Sequence, residues 1–383
     1  MNHRKHYRFF VSYIKEDEPI ARDIVAQTLR HLGHQVKNMS DLKGGTKFRD
    51  EIRRWIDWSH FVIPIITKKS SLRPWIHQEI GYALGRHVPV IPIEYNTTLK
   101  KLAFLDDFHH IVAKAVPDLK AKLRGMDWTD NISRLKPSDP FPVSECDDDA
   151  EKRSELLADT AEEIDREFRR FPIRIRQRSR LSSFSVPRNR YEKPWKSVLE
   201  MGLKLFWLKP RERIVMENLA DRGGCDLMLD PDYYEYEDGR ERLSQRPPRR
   251  LVNNRAGYNP YVQRARLFTL CDFLQNRRDN EVRIVVEDSS TSSESVTFIG
   301  DHWFAFSAGV APFGKSRKTI STWHAPTVGW HCEEFDAEFE TAFNQQKEKL
   351  ERLGQTSSRL YAISRIQKAI AEIERQFELR PVP

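Results

Sequence analysis

The sequence predicts an α/β protein whose N-terminal third is a parallel sheet covered on both faces by helices. Two observations carry that expectation. Short runs rich in β-branched and aromatic residues recur, at Arg8-Phe-Phe-Val-Ser-Tyr13, His34-Gln-Val-Lys-Asn38, Phe61-Val-Ile-Pro-Ile-Ile66 and Val88-Pro-Val-Ile-Pro-Ile93. Between them, apolar residues fall at three- and four-residue steps, first Ile20, Ile24, Val25, Leu29 and Leu32, then Phe48, Ile52, Trp55 and Ile56. Apolar strands alternating with amphipathic helices belong to parallel sheets buried on both faces.

In chain order, the first strand ends in polar Lys15-Glu-Asp17. Asp17 is available to cap the helix that follows, with Pro19 near its first turn and Gly33 just past its end. Met39 to Phe48 carries two glycines and reads as a loop, made basic by Lys43 and Lys47. From its residues alone it is equally an ordinary surface connection. After the third strand, Arg73-Pro74 breaks the chain and Trp75-Ile-His-Gln-Glu79 opens a helix. Residues four apart share a helix face, so the Trp75 indole and the Glu79 carboxylate stand side by side. A flat apolar wall beside an anchored negative charge suits a ribose carrying a cationic ring. In isolation such a pair reads as a core tryptophan and a solvated glutamate. Phe108-His-His-Ile-Val112 is expected to be a fifth strand.

Taken in order and spacing, these blocks make residues 7 to about 125 resemble a TIR (Toll/interleukin-1 receptor) domain, which implies a flavodoxin-like fold. Phe9-Phe-Val-Ser-Tyr13 resembles the first-strand box, Leu42-Lys-Gly-Gly-Thr-Lys-Phe48 the BB loop, Ser59 to Ile66 strand C, and Val90-Ile-Pro-Ile93 the strand D box. Trp75 to Glu79 is similar to the helix bearing the catalytic glutamate in NAD-cleaving members. The resemblance therefore implies an NAD+ glycohydrolase, with NAD as substrate and Glu79 as the catalytic residue. Trp75, Ser12, Tyr13, Lys15, Lys43 and Phe48 are the expected NAD contacts. Some family enzymes carry an arginine directly after the strand box; here Ile14 and Lys15 follow Tyr13, so a cationic contact to the diphosphate falls to Lys15 or lies elsewhere. In TIR enzymes the BB loop lies between neighbouring domains and completes the pocket on assembly, which implies self-association and activation by oligomerisation. The histidines of this region have no metal-ligand spacing, and no metal is expected.

Beyond this region the composition changes. Residues 1–130 are read as the TIR domain, 131–192 as linker, charged helix and basic strip, 193–343 as a second α/β or α+β domain with a sensing or regulatory role, and 344–383 as a helical tail. Arg169-Arg-Phe-Pro-Ile-Arg-Ile-Arg-Gln-Arg-Ser-Arg180 alternates arginine with apolar residues. It reads as a solvated edge strand blunted by charge, or as a strip for nucleic acid or another polyanion. Glu281 to Val286 is a clear strand, and Ser295 to Phe306 a hairpin. With Thr319 to Pro326 this order resembles degenerate phospholipase D-like modules. The catalytic signature of that family, a histidine with a lysine two residues on, is absent, since Ala325 and Pro326 follow His324. A metal site among His302, His324, His331 and Cys332 competes with packing and surface roles.

The chain of 383 residues has room for two domains and a tail. A net charge of +8 favours anionic partners, NAD among them. The four cysteines are widely spaced and suggest no disulfide framework, which fits a cytoplasmic protein. No signal peptide and no membrane-spanning run is expected. The layout resembles bacterial antiphage effectors that deplete NAD or make a cyclic ADP-ribose on sensing infection. The competing readings are a TIR scaffold without turnover and a nucleic-acid-binding effector.

Overall fold

The computed structural model describes residues 6–41, 48–96, 110–128, 144–147, 150–179, 182–189, 191–200, 210–231, 233–236, 239–242, 260–287, 295–307 and 318–379. It divides into two compact units, Met1–Pro142 with Thr322–His331, and Val143–Ser321 with Cys332–Pro383.

Unit 1 is a flavodoxin-like sheet of five parallel strands in the order β2-β1-β3-β4-β5. The strands are β1 (Arg8–Ser12), β2 (Gln35–Asn38), β3 (Phe61–Ile66), β4 (Ile93–Tyr95) and β5 (Ile111–Ala113). The helices are Pro19–Ala26, wound as a π-helix and continued by α1 (Gln27–His31), then α2 (Phe48–Trp58), α3 (Pro74–Gly85) and α4 (Val116–Gly125). Because side chains alternate across a strand, β1 and β3 feed two cores. Phe9, Val11, Phe61, Ile63 and Ile65 pack with Val25, Leu29, Leu119, Leu123 and Trp128 on one face. Phe10, Val62 and Ile66 pack with Ile52, Trp55, Ile56, Ile76 and Ile80 on the other.

The fourth strand starts later than the sequence suggests. Val90 makes only an isolated parallel bridge to Val62, and regular pairing begins at Ile93. Pro89 and Pro92 have no N–H to give to a ladder, so only their carbonyls take part, accepting from Val62 and Ile111. Asp17 does not cap the following helix, which has no side-chain cap. Its carboxylate instead accepts from Thr67 Oγ1 at 2.9 Å. Arg8, fully buried, lies over Trp58 and Trp323 at 5.4 and 5.8 Å and donates to the Trp323 carbonyl. His34 and His60 are structural: their Nδ1 atoms accept the backbone N–H of Tyr7 and Arg8 at the head of β1.

Unit 2 is built on a mixed sheet of seven strands in the order β11-β8-β7-β12-β13-β14-β6. These are β6 (Ser144–Asp147), β7 (Ile175–Ser179), β8 (Cys225–Leu229), β11 (Val282–Val286), β12 (Ser295–Ile299), β13 (Trp303–Ser307) and β14 (Lys318–Thr322). A separate ribbon pairs β9 (Tyr233–Tyr236) with β10 (Gly239–Arg242). The helices are α5 (Ala150–Glu167), α6 (Lys193–Glu200), α7 (Pro210–Gly223), α8 (Pro260–Gln275), α9 (Ala325–Arg352), which belongs to this unit from Cys332 on, and α10 (Ser358–Gln376). The turn from α7 into β8 requires glycine: a Cβ on Gly223 would sit 2.2 Å from the Ile173 carbonyl oxygen, and Gly224 has φ +73.

The arginine-rich strip is a correction to the sequence reading. Its strand, β7, is no edge; it pairs parallel with β8 and antiparallel with β12. Its arginines are matched by acids within the unit. Arg174 pairs with Asp226, Arg176 with Asp301 and Asp336, and Arg178 with Glu287 and Glu338. The side chains of Arg174, Arg176 and Arg178 are thus no open strip for a polyanion. The alternation does mark a strand, but the charged face is covered by the acidic side of α9.

Candidate active site

In a sheet of order 2-1-3-4-5, the chain passes from β1 to β2 on one side and returns to β3 on the other. The carboxyl ends of β1 and β3 therefore form a crevice, where open α/β sheets take ligands. Ser12 is the last residue of β1, and Thr67 follows the last residue of β3. α3 starts at Pro74, with proline in its first turn, where the missing N–H costs nothing. That start sets Trp75 in the first turn and Glu79 in the second.

Glu79 is 4% exposed, and Ser12 is fully buried. The Ser12 hydroxyl donates to Glu79 Oε2, while Oε1 is buried without a hydrogen-bond partner among the described residues. Burial pushes the Glu79 carboxyl up to about 7; the bond from Ser12 and the Trp75 indole pull the other way. A carboxylate poised near neutrality in a crevice is a common signature of functional sites. Trp75 is half-buried and packs against the core cluster that holds Phe10 and Ile80.

The structure brings Ser12, Trp75 and Glu79 together. Tyr13 belongs to the opposite core; its hydroxyl donates to Asn38 Oδ1 and accepts from the Ser40 N–H, and burial raises its pKa. Lys15 is exposed on the short helical turn Lys15–Asp17. Phe48 opens α2, while Lys43 lies outside the described residues. Sequence reasoning missed one group at this edge. Asp17 is buried, its carboxyl raised by burial against the opposing bond from Thr67, and Ser70 Oγ caps the same turn by accepting from the Thr67 N–H at 2.6 Å. The polar Lys-Glu-Asp ending of the strand was the only signal for it.

Residues 9–131 match the family model of the TIR domain. This part of the chain is a TIR domain. Among curated proteins, none matches. Among solved structures, the phospholipase D family member Nuc from Salmonella typhimurium covers 53% of this chain and 95% of its own length, at 10% identity and a TM-score of 0.26. Among the described residues of the whole chain, no group of three or more His, Cys, Asp or Glu could hold a metal ion. None of the described helices is long and apolar enough to cross a membrane. The TIR domain thus presents, at its switch point, the buried Glu79 carboxylate with a hydroxyl donor on one oxygen and an indole beside it.

Proposed function

We propose that the TIR domain cleaves NAD+ between ribose and nicotinamide, with Glu79 as the catalytic residue. The supporting observation is the buried Glu79 carboxylate, bonded to Ser12 at the carboxyl end of β1 and held near neutrality. Nicotinamide in NAD+ is a cationic leaving group, so the C1′–N bond can break with its electron pair going to the ring nitrogen, which becomes neutral. The ribosyl group left behind carries positive charge shared between C1′ and the ring oxygen. An ionised Glu79, fixed in a dry site, stabilises that charge without reorganising. Water then adds to C1′ and gives up a proton, which a carboxylate of pKa about 7 can accept, yielding ADP-ribose. Attack by the substrate's own adenine instead would yield a cyclic ADP-ribose.

Ser12 acts as a positioning group, aiming the carboxylate and favouring its charged form, while Trp75 walls the pocket. At 4% exposure Glu79 is closed to a substrate in the single chain. Self-association of TIR domains through the loop bearing Lys43 supplies the opening, so activity requires assembly. We place this reaction in bacterial antiphage defence, with unit 2 deciding when assembly occurs. The same closure favours the rival reading of a scaffold without turnover.

The test is NAD+ consumption with separated products, for the wild type and Glu79→Gln over a wide range of protein concentration. Turnover that rises faster than linearly with concentration and is lost in the variant is expected. Absence of turnover in the wild type at every concentration would leave the scaffold.

A further inference from the structure

We propose that unit 2 binds a phosphate monoester in a cavity on the face of its sheet opposite α9. The alternation of β7 places the cavity: Arg176 and Arg178 turn to acids of α9, so Gln177 and Ser179 turn to the other side. There they line a cavity of about 70 Å³ with Ser295 and Thr297 of β12. That volume holds a few waters or one phosphoryl group, and not a whole nucleotide.

Three features of its wall select the ligand. The first is hydroxyl groups on several strands, which donate to an anion without bringing a charge of their own. Most are already engaged: Gln177 Nε2 donates to Ser183 Oγ at 2.7 Å and to Thr297 Oγ1 at 3.2 Å, and Ser307 and Thr319 share a bond of 2.8 Å. Ser179 Oγ is buried and has no partner among the described residues. A buried hydroxyl left unpaired is costly, so this group is held for something that enters the cavity.

The second feature is charge. Among the described residues, Arg153 and Arg266 line the cavity with one carboxylate, Glu212. The balance is one positive charge, which favours an anion. Arg266 is fixed in place, since its Nε and Nη2 donate to the buried Ser185 Oγ at 3.1 and 2.9 Å. Guanidinium groups match oxyanions in geometry as well as charge.

The third is Glu212 itself, buried, with Oε2 accepting from Ser154 Oγ at 2.7 Å. A carboxylate only accepts, so a ligand beside it must present a donor. A phosphate monoester, whose second pKa is about 6, supplies both parts in its monoanion, anionic oxygens for the arginines and a P–OH for Glu212. Sulfate carries no such proton. The site therefore takes phosphate and discriminates against sulfate.

The test is isothermal titration of the full chain with inorganic phosphate, AMP and sulfate, for the wild type, Ser179→Ala, Arg266→Gln and Glu212→Gln. Circular dichroism checks that each variant is folded. We expect one site per chain for phosphate or AMP, with sulfate at least about tenfold weaker, and a loss of about tenfold in Arg266→Gln. Ser179→Ala, which removes no existing contact, weakens phosphate binding severalfold, and Glu212→Gln erases the preference over sulfate. AMP tighter than phosphate names a nucleotide as the source, and equal affinities name free phosphate. No saturable binding of either probe to the wild type overturns the proposal. So does sulfate binding as tightly as phosphate, or binding unchanged in both Ser179→Ala and Arg266→Gln.

Discussion

The Ser12 hydroxyl donates to the Glu79 carboxylate, joining the last residue of β1 to the second turn of α3 across 67 residues of sequence. The bond favours the charged form of a buried acid, and its removal leaves burial opposed by the Trp75 indole alone. A charge-assisted hydrogen bond of this kind is worth about 1.5–3 kcal/mol, or one to two pH units. Ser12→Ala should therefore lower NAD+ cleavage at pH 7 by about tenfold and restore most of it near pH 9. A pH–rate profile that is scaled down without shifting would assign Ser12 to substrate contact instead.

Glu79 must be ionised to stabilise a ribosyl cation. With its carboxyl pushed up to about 7 by burial, NAD+ cleavage should rise with pH through that value and level off above it. The check is kcat/KM between pH 5.5 and 9, with a single ionisation near 7 on the acid side.

The same burial sets a cost in stability. The folded state holds the Glu79 proton at pH values where the unfolded chain has released it, so stability falls as pH rises from about 4.5 to about 7. At ~1.4 kcal/mol per pH unit, ionised Glu79 costs about 3 kcal/mol at pH 8. Glu79→Gln should lose turnover and yet melt higher than the wild type at pH 8. Equal melting temperatures would show that Glu79 is better solvated than its burial implies.

His324 carries the opposite sign. Its Nε2 lies 2.8 Å from the Arg86 carbonyl at the end of α3, which can only accept, so Nε2 bears the proton and Nδ1 accepts from Thr327 Oγ1 at 2.7 Å. Burial pushes its pKa down to about 4, so its contribution is complete above about 6.5 and is lost as pH falls toward 4. His324→Gln should flatten the acid side of the stability curve, by an amount on the order of 3 kcal/mol between pH 7 and 4. Urea denaturation at several pH values reads this. Since Glu79 and His324 act oppositely over one range, the two variants separate what the wild type nearly cancels.

Asp226 is buried between two arginines, Arg174 just before β7 and Arg283 of β11, each bonded to both of its oxygens. Burial alone would raise its pKa, yet the two guanidinium groups hold it below the ordinary range. Asp226→Asn leaves their charges uncompensated and should destabilise unit 2 by about 3–5 kcal/mol. By the same reasoning, Arg176→Gln should lower thermal stability while leaving the affinity for DNA or RNA nearly unchanged. A large loss of nucleic-acid affinity without loss of stability would restore the strip as a binding surface.

Much of the TIR domain was legible in the sequence because its signals are local. Phe61 to Ile66 is apolar on both faces only because the sheet is covered twice, and Trp75 and Glu79 share a face because a helix repeats near four residues. The expected site residues Ser12, Trp75 and Glu79 lie together, whereas Tyr13 turned to the other core, since consecutive side chains leave a strand on opposite faces. Sequence periodicity gave Arg174, Arg176 and Arg178 one face but not what meets that face. Their partners Asp226, Asp336 and Glu338 are 52 to 160 residues away in the chain. Sequence alone therefore determined the order of strands and helices, the TIR resemblance and the shared face of Trp75 and Glu79. Only the tertiary structure decided that Ser12 bonds Glu79, that Asp17 serves Thr67 and not a helix end, and that the arginine strand is interior. The reason is that periodicity is written by neighbours in sequence, while the pairing of buried polar groups depends on which distant residue the fold delivers to them.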